Sequence, residues 1–189
     1  DSGNCHSSPA LYAGYIKKNT YAIHTRHHQN LKTAFPPHLD KPSSCYNISM
    51  IDAHCHLNFH SFENDLDQVI QNARQVGIRK IINVGTQVSS SQLAVDLAEK
   101  YDDLYASIAI HPHHADKINS GQTSPQNWLN QLQKLATHPK VVSIGECGLD
   151  YFSYKSNGIV EPKIQKEIFL AHLHLASKFK LPLQIHTRV

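Results

Sequence analysis

The sequence has few of the features that mark secreted or membrane-spanning proteins. Only four cysteines occur among its 189 residues, none in a CxxC spacing, and they are too sparse for a disulfide framework. No apolar run approaches the roughly 20 residues that cross a bilayer, and the N-terminus lacks the basic region and apolar core of a signal peptide. These absences predict a cytoplasmic protein without a membrane partner.

Neither sign of charge strongly predominates, with 18 Lys and Arg against 15 Asp and Glu. The formal net charge is +3 and the sequence pI is about 8.6, a mild basic excess that is compatible with a polyanionic partner but does not identify one. No long basic stripe or aromatic stacking platform singles out nucleic acid. The length, with 40% hydrophobic and 17% charged residues, indicates one globular domain with a substantial core.

Regular patterning begins only near residue 50. Residues 1–49 mix polar residues with isolated aromatics and four prolines, so neither helical nor strand periodicity persists. We expect a poorly ordered leader over residues 1–49 and a folded domain over residues 50–189. Met50 is the only methionine and lies where the regular pattern begins, which favours it as the natural start of the chain; a genuine accessory segment over residues 1–49 is the alternative.

From Ile48 onward, short apolar runs alternate with amphipathic stretches. The predicted strands cover residues 48–54, 80–84, 104–110, 141–145 and 183–186. Four helices are predicted between them. The first ends before Gly77, the second opens with a capping box of Ser89 and Gln92, and the last begins at Pro162. For the third, Ser124 supplies the cap.

This repeated βα order implies a parallel sheet, either doubly wound or closed as a (β/α)₈ barrel. No glycine-rich phosphate loop follows the first strand, which argues against a nucleotide-binding open sheet. Polar residues instead gather at the carboxyl ends of the strands, where a barrel builds its site. The sequence therefore favours an α/β fold of the TIM-barrel type.

Four strand ends supply side chains suited to a metal centre. These candidates are His54, His56, His111, His113, Glu146, Asp150, His186 and Arg188. Neutral imidazoles and a carboxylate that meet at one face would bind a hydrolytic metal ion. Two ions bridged by a carboxylate suit displacement at phosphorus, and Glu146 is the natural bridge. Cys55 and Cys147 are predicted to be small buried residues, because their neighbours occupy the site-facing positions.

Several of these candidates have more than one plausible role. His111 and His113 either contact a metal or substrate or pack the loop around Pro112. Asp150 and Arg188 either fix the geometry behind the ligands or hold a phosphate. The residues alone leave these alternatives open.

The ordered motifs resemble those of the TatD family of metal-dependent deoxyribonucleases. They read IDAHCHL, AIHPHHA, SIGECGLDY, EPKIQKEIFLAHLHLASKFKLP and LQIHTR, and the resemblance covers residues 50–189. It implies a TIM barrel of the metal-dependent hydrolase superfamily. The implied activity is cleavage of phosphodiester bonds in DNA with two divalent ions (Mg, Mn or Zn), typically as a 3′–5′ exonuclease on single strands or 3′ ends.

The resemblance also assigns roles to individual residues. It implies that His54 and His56 bind one metal, that Glu146 bridges both, and that His186 binds the second. The family continues with a sixth-strand histidine and an aspartate after strand eight, beyond Val189. We therefore expect a barrel truncated after about five strands. The alternatives are a related hydrolase on another ester or amide, such as a D-aminoacyl-tRNA deacylase, and an inactive fragment.

Overall fold

The computed structural model describes residues 49–119 and 125–188. The five strands are β1 (Met50–Cys55), β2 (Ile78–Val84), β3 (Leu104–Ile108), β4 (Val141–Asp150) and β5 (Leu183–Arg188). The five α-helices are α1 (Leu66–Gln75), α2 (Val88–Lys100), α3 (Asp116–Asn119), α4 (Pro125–Leu135) and α5 (Pro162–Phe179). Short 3₁₀ helices span His60–Phe62 and Pro112–His114. The predicted leader lies outside the described residues, apart from residue 49.

All five strands pair in parallel in the order β1-β2-β3-β4-β5. The two edge strands are joined by one side chain, since Nε2 of Gln184 in β5 donates to the backbone oxygen of Ala53 in β1 over 2.8 Å. A side chain can make this link only if the sheet curls toward itself. The parallel βα architecture expected from the sequence is thus present, with the curvature of a partial barrel.

The hydrophobic core joins strands and helices in a single cluster. Leu104 and Ile108 of β3 and Ile144 of β4 are fully buried, together with Leu132 of α4 and Leu175 of α5. Burial of such side chains is the main favourable contribution to folding. Among the described residues, no helix combines the length and apolar character needed to cross a membrane.

The start of α2 corrects one prediction. The helix begins at Val88, with Gln87 as its N-cap and a capping box formed by Gln87 and Ser90. The predicted box of Ser89 and Gln92 is wrong, because Ser89 already lies in the first helical turn. Ser124, the predicted cap of α4, lies outside the described residues.

Strands β4 and β5 are longer than predicted and include the polar residues that the sequence analysis places after them. β4 continues to Asp150, and β5 continues to Arg188, because the two strands remain paired from Ile144 to Asp150. The apolar run of β4 stops earlier, which explains the shorter prediction. Gly148 permits this pairing: its φ is +145°, and a Cβ there would overlap the carbonyl oxygen of His186.

Candidate metal centre

The carboxylate of Glu146 lies among four imidazoles delivered by other strand ends. Its Oε1 atom lies 2.6 Å from Nδ1 of His186 and 3.9 Å from Nε2 of His111. Its Oε2 atom lies 3.4 Å from Nε2 of His54 and 3.7 Å from Nε2 of His56. Side chains from the ends of β1, β3, β4 and β5 therefore meet at one carboxylate.

His56 is held in the tautomer that a metal ligand requires. Its Nδ1 atom donates to the backbone oxygen of Val84 over 2.9 Å, so the neutral ring carries its lone pair on Nε2, the atom nearer Glu146. The ring also stacks on Phe59, with 4.6 Å between centroids and an interplanar angle of 13°. The hydrogen bond through Nδ1 and the ring contact together orient the His56 imidazole.

Within residues 49–119 and 125–188, two groups of ligand atoms are close enough to share an ion. In each group, all ligand atoms lie within 4.8 Å of one another. The first consists of His54, His56 and Glu146, and the second consists of His111, Asp150 and His186. Imidazole nitrogens combined with a carboxylate oxygen form a donor set that divalent transition metals accept.

The hydrogen bonding of His111 favours the first group. The backbone N–H of His113 donates to Nδ1 of His111 over 3.1 Å, so the neutral ring carries its proton on Nε2. Burial lowers the pKa of His111 to about 4, which keeps the ring neutral and makes its approach to Glu146 a dipolar contact rather than an ion pair. His111 is thus prepared to donate a hydrogen bond, whereas metal binding through Nε2 would require the opposite tautomer.

Asp150 orients His186 from the side away from Glu146. Oδ2 of Asp150 lies 3.0 Å from Nε2 of His186 and accepts the Tyr154 hydroxyl over 2.6 Å. Oδ1 accepts the backbone N–H of Phe152 over 3.0 Å. The imidazole of His186 is therefore held between two carboxylates, in the manner of a ligand fixed by a carboxylate behind it.

The electrostatics of the cluster centre on Glu146. Burial raises the pKa of this carboxyl, but hydrogen bonds from His186 and His54 and the neighbouring imidazoles outweigh that effect, so its pKa lies well below its usual range. The hydrogen bonds with Glu146 raise the pKa of both His54 and His186. Glu146 is consequently ionised at neutral pH and supplies the negative charge that a cation site needs.

Arg188 and His113 do not lie against Glu146. They pack against Phe152 and Tyr154, and these four residues form the rim of the site. The Arg188 guanidinium carbon lies 3.8 Å from the centre of the Phe152 ring, and Nη1 reaches the Tyr154 hydroxyl at 3.4 Å. Phe152 is 43% exposed. The His113 ring packs 3.9 Å from that of Tyr154, centroid to centroid. The other six predicted residues come together.

Three residues next to this site were not predicted. Tyr154 lies in the loop after β4, where no sequence pattern marks it. Gln165 and His172 are buried on α5, and a signal existed for them, because two polar residues seven apart on an otherwise apolar helical face are unusual. Both free cysteines among the described residues, Cys55 and Cys147, are buried as predicted.

Comparisons with known proteins find similarity over the same part of the chain. The family model for TatD related DNase matches residues 51–189. An uncharacterized metal-dependent hydrolase, YabD of Bacillus subtilis, is 38% identical over 140 residues, covering 74% of this chain and 51% of YabD. The 3′-5′ ssDNA/RNA exonuclease TatD of Erwinia tasmaniensis is 36% identical over 140 residues, covering 74% and 50%. The chain thus spans about half the length of the curated relatives it matches.

Solved structures give the same result for the fold. YJJV, a TatD homolog from Escherichia coli K12, aligns with a TM-score of 0.63 at 34% identity, covering 73% of this chain and 50% of that one. A TatD family hydrolase from Entamoeba histolytica aligns with the same TM-score at 25% identity, covering 74% and 50%. These alignments confirm the expected α/β class and the partial TIM barrel.

Proposed function

Because this chain belongs to the TatD-related DNase family, we propose that the protein is a divalent-metal-dependent hydrolase that cleaves phosphodiester bonds in DNA. We further propose that it acts on single strands from their 3′ ends, as the name of the Erwinia exonuclease suggests. The observation that carries the proposal is the ionised Glu146 carboxylate among four imidazoles that come from β1, β3 and β5 or directly follow them. A carboxylate that only faces solvent would not be surrounded by four imidazoles.

The proposed site uses two divalent ions that share Glu146. His54 and His56 would complete the ligands of the first ion from this chain, and His186 would bind the second. When bound, such ions supply the positive charge that polarises the scissile phosphodiester and lowers the pKa of water. Histidine and carboxylate ligands accept zinc and manganese, and magnesium where further oxygen ligands are present.

His111 is proposed as a hydrogen-bond donor to the phosphate. Its Nδ1 atom is occupied by the His113 N–H, and its lowered pKa keeps the ring neutral, so Nε2–H is the atom it offers. A fixed donor of this kind stabilises the negative charge that develops on a non-bridging oxygen in the transition state. His113 itself is proposed to hold the rim through Tyr154.

The rim is proposed to receive a nucleobase. Arg188 stacked on the exposed Phe152 offers a flat, cationic surface, and bases stack on aromatic rings and guanidinium planes with little sequence preference. Arg188 can also pair with a phosphate. This arrangement supports a nucleic-acid substrate over a small ester.

The direct test is hydrolysis by the full-length protein. Labelled single-stranded DNA, single-stranded RNA and D-aminoacyl-tRNA are incubated with Mg²⁺, Mn²⁺ or Zn²⁺, and products are resolved over time. We expect stepwise shortening of DNA from the 3′ end, abolished by chelation and by Glu146→Gln. Glu167→Gln, a change at an exposed carboxylate of α5, is the matched control. Activity that survives exhaustive chelation, or preferential deacylation of the tRNA, would overturn the proposal.

A cytoplasmic location is part of the proposal. Cys55 and Cys147 are free and buried thiols, a state that suits a reducing compartment. Fractionation of cells that express the tagged full-length protein tests this location.

A further inference from the structure

Helix α5 carries two buried polar side chains, each of which makes at least one hydrogen bond to a group outside the helix. Gln165 is 1% exposed and His172 is fully buried. They are seven residues apart, which places them on one face of the helix, about two turns or 10 Å apart along its axis. Buried polar groups are costly unless they are hydrogen-bonded, so the partners of these two side chains are informative.

His172 holds the backbone next to His111. Its Nδ1–H donates to the oxygen of Ile168 on the same helix over 2.7 Å, and its Nε2 atom accepts the N–H of Ile110 over 3.0 Å. The following amide, that of His111, donates to the oxygen of Thr86 over 2.9 Å. The two consecutive amides are therefore fixed on both sides, and the His111 ring extends from the fixed backbone.

Gln165 holds the backbone of Asp150. Its Oε1 atom accepts the Asp150 N–H over 2.7 Å, and its Nε2 atom donates to the Asp150 oxygen over 2.8 Å. A further bond from Nε2 to the oxygen of Val160 over 2.7 Å uses the remaining amide proton. Asp150 is thus clamped at both its amide and its carbonyl, while its carboxylate reaches His186.

We propose that Gln165 and His172 are positioning residues through which α5 sets the places of Asp150 and His111 around Glu146. The proposal rests on the function proposed for that cluster. One rigid helix would hold the ends of β3 and β4 at a fixed separation. His111, the proposed hydrogen-bond donor to the phosphate, and the Asp150 carboxylate beside His186 would then keep a fixed distance from each other. A displacement near 1 Å at such groups costs about 100-fold in rate.

The two residues act through different partners, so their loss should have different signatures. His172→Leu removes the acceptor for the Ile110 amide and should reduce kcat at least 10-fold, with metal affinity and KM within about twofold of the wild type. Gln165→Met keeps an unbranched side chain without the amide group. It should weaken metal binding about 10- to 100-fold, because Asp150, whose carboxylate contacts His186, loses its two backbone hydrogen bonds to Gln165.

Readouts without metal separate positioning from general stability. In the cation-free full-length protein, hydrogen exchange followed by NMR should show faster exchange at the Ile110 amide in His172→Leu and at the Asp150 amide in Gln165→Met. Each variant should leave the other amide within about threefold of the wild type. His172→Gln, which can both accept from Ile110 and donate to Ile168, should restore kcat. His174→Ala, a change at an exposed residue of the same helix, is the control.

The outcomes are distinct. If His172→Leu does not fold, His172→Asn replaces it, because the shorter amide cannot reach both partners. Proportional losses of kcat and metal affinity in both variants, or unchanged values with only a lower Tm, would overturn the inference. If the wild-type protein hydrolyses no DNA, the proposed function fails, while metal calorimetry and amide exchange still decide whether Gln165 and His172 position this cluster.

Discussion

His186 donates from Nδ1 to Oε1 of Glu146 over 2.6 Å, and this bond joins the neighbouring strands β4 and β5 at the centre of the candidate site. The other ring nitrogen lies 3.0 Å from Oδ2 of Asp150. The ring therefore has almost no rotational freedom, and its orientation depends on two carboxylates that come from one strand.

Replacing Asp150 tests the support behind His186. Asp150→Asn keeps the shape and the acceptor for the Phe152 amide but removes the negative charge. We expect metal affinity to fall about 10- to 100-fold, measured by calorimetry with Mn²⁺ or Zn²⁺. Asp96→Asn, a change at an exposed carboxylate of α2, should leave affinity unchanged. Equal affinity in Asp150→Asn would show that His186 needs no carboxylate behind it.

Replacing His111 tests its role as a donor. His111→Leu removes Nε2–H while leaving His54, His56 and Glu146 intact. We expect kcat to fall about 100- to 1000-fold, as for loss of a donor to developing negative charge, with an unchanged metal dissociation constant. Steady-state kinetics and calorimetry on the same preparations make the comparison. A large loss of metal affinity would instead identify His111 as a ligand. His60→Leu, at a side chain that is 90% exposed, is the control.

Replacing Phe152 tests base stacking at the rim. Phe152→Leu should raise KM for single-stranded DNA about 5- to 100-fold, the range expected for loss of one stacking contact. Cleavage of methyl p-nitrophenyl phosphate, which carries no base, should stay within about twofold. Phe152→Tyr keeps a ring and should retain most of the affinity. An equal effect on both substrates would argue against a base at this ring.

The buried His172 predicts how stability depends on pH. Burial lowers its pKa from 6.5 to about 4 in the folded protein, whereas the unfolded chain regains the ordinary value. Above pH 6.5 the ring is neutral in both states. As the pH falls from 6.5 toward 4, the unfolded state binds a proton that the folded state does not, so the free energy of unfolding decreases, by on the order of 3 kcal/mol.

Urea unfolding at several pH values measures this effect. His111 and His114 also have lowered pKa values and contribute a slope of their own. The difference between the wild type and His172→Gln therefore isolates the contribution of His172. Parallel curves for the two proteins over pH 4 to 7 would contradict the prediction.

Gly148 and Gly158 both have a positive φ, but a Cβ would overlap a neighbouring strand only at Gly148. Substituting each by alanine therefore distinguishes the cost of steric overlap from the cost of backbone strain. Gly148→Ala places a Cβ against the carbonyl oxygen of His186, whereas a Cβ at Gly158 (φ +66°) meets nothing within 4 Å. We expect Gly158→Ala to cost about 1 kcal/mol of unfolding free energy, and Gly148→Ala to cost several times more or to prevent folding. Urea denaturation compares them, and equal costs would mean that the two strands separate easily at His186.

Much of this architecture could be predicted from the sequence. The alternation of apolar runs with amphipathic stretches gave the βα order, and the His-x-His spacing placed His54 and His56 on one face of β1. Glu146 followed from its position in an apolar strand that ends in polar residues. The structure confirms the βα order and brings His54, His56 and Glu146 together, because periodicity and strand polarity are local properties of the chain.

Other features depend on partners distant in sequence. The length of β4 depends on its pairing with β5, not on its own hydrophobicity. The tautomer of His111 depends on a backbone amide that a 3₁₀ turn brings to its ring. The position of His172 on an apolar helical face is unusual in the sequence, but nothing local identifies Ile110 as its partner. Such contacts exist only once the chain has folded.

The central place of Glu146 has an evolutionary consequence. The glutamate stands in β4, which is bonded to a neighbour on each side, whereas the aromatic residues of the rim belong to the connection between β4 and α5. Drift in that connection can change which molecules are admitted without disturbing the carboxylate. Substitutions in the connection between β4 and α5 can therefore alter substrate specificity among related chains while Glu146 keeps its position in the sheet.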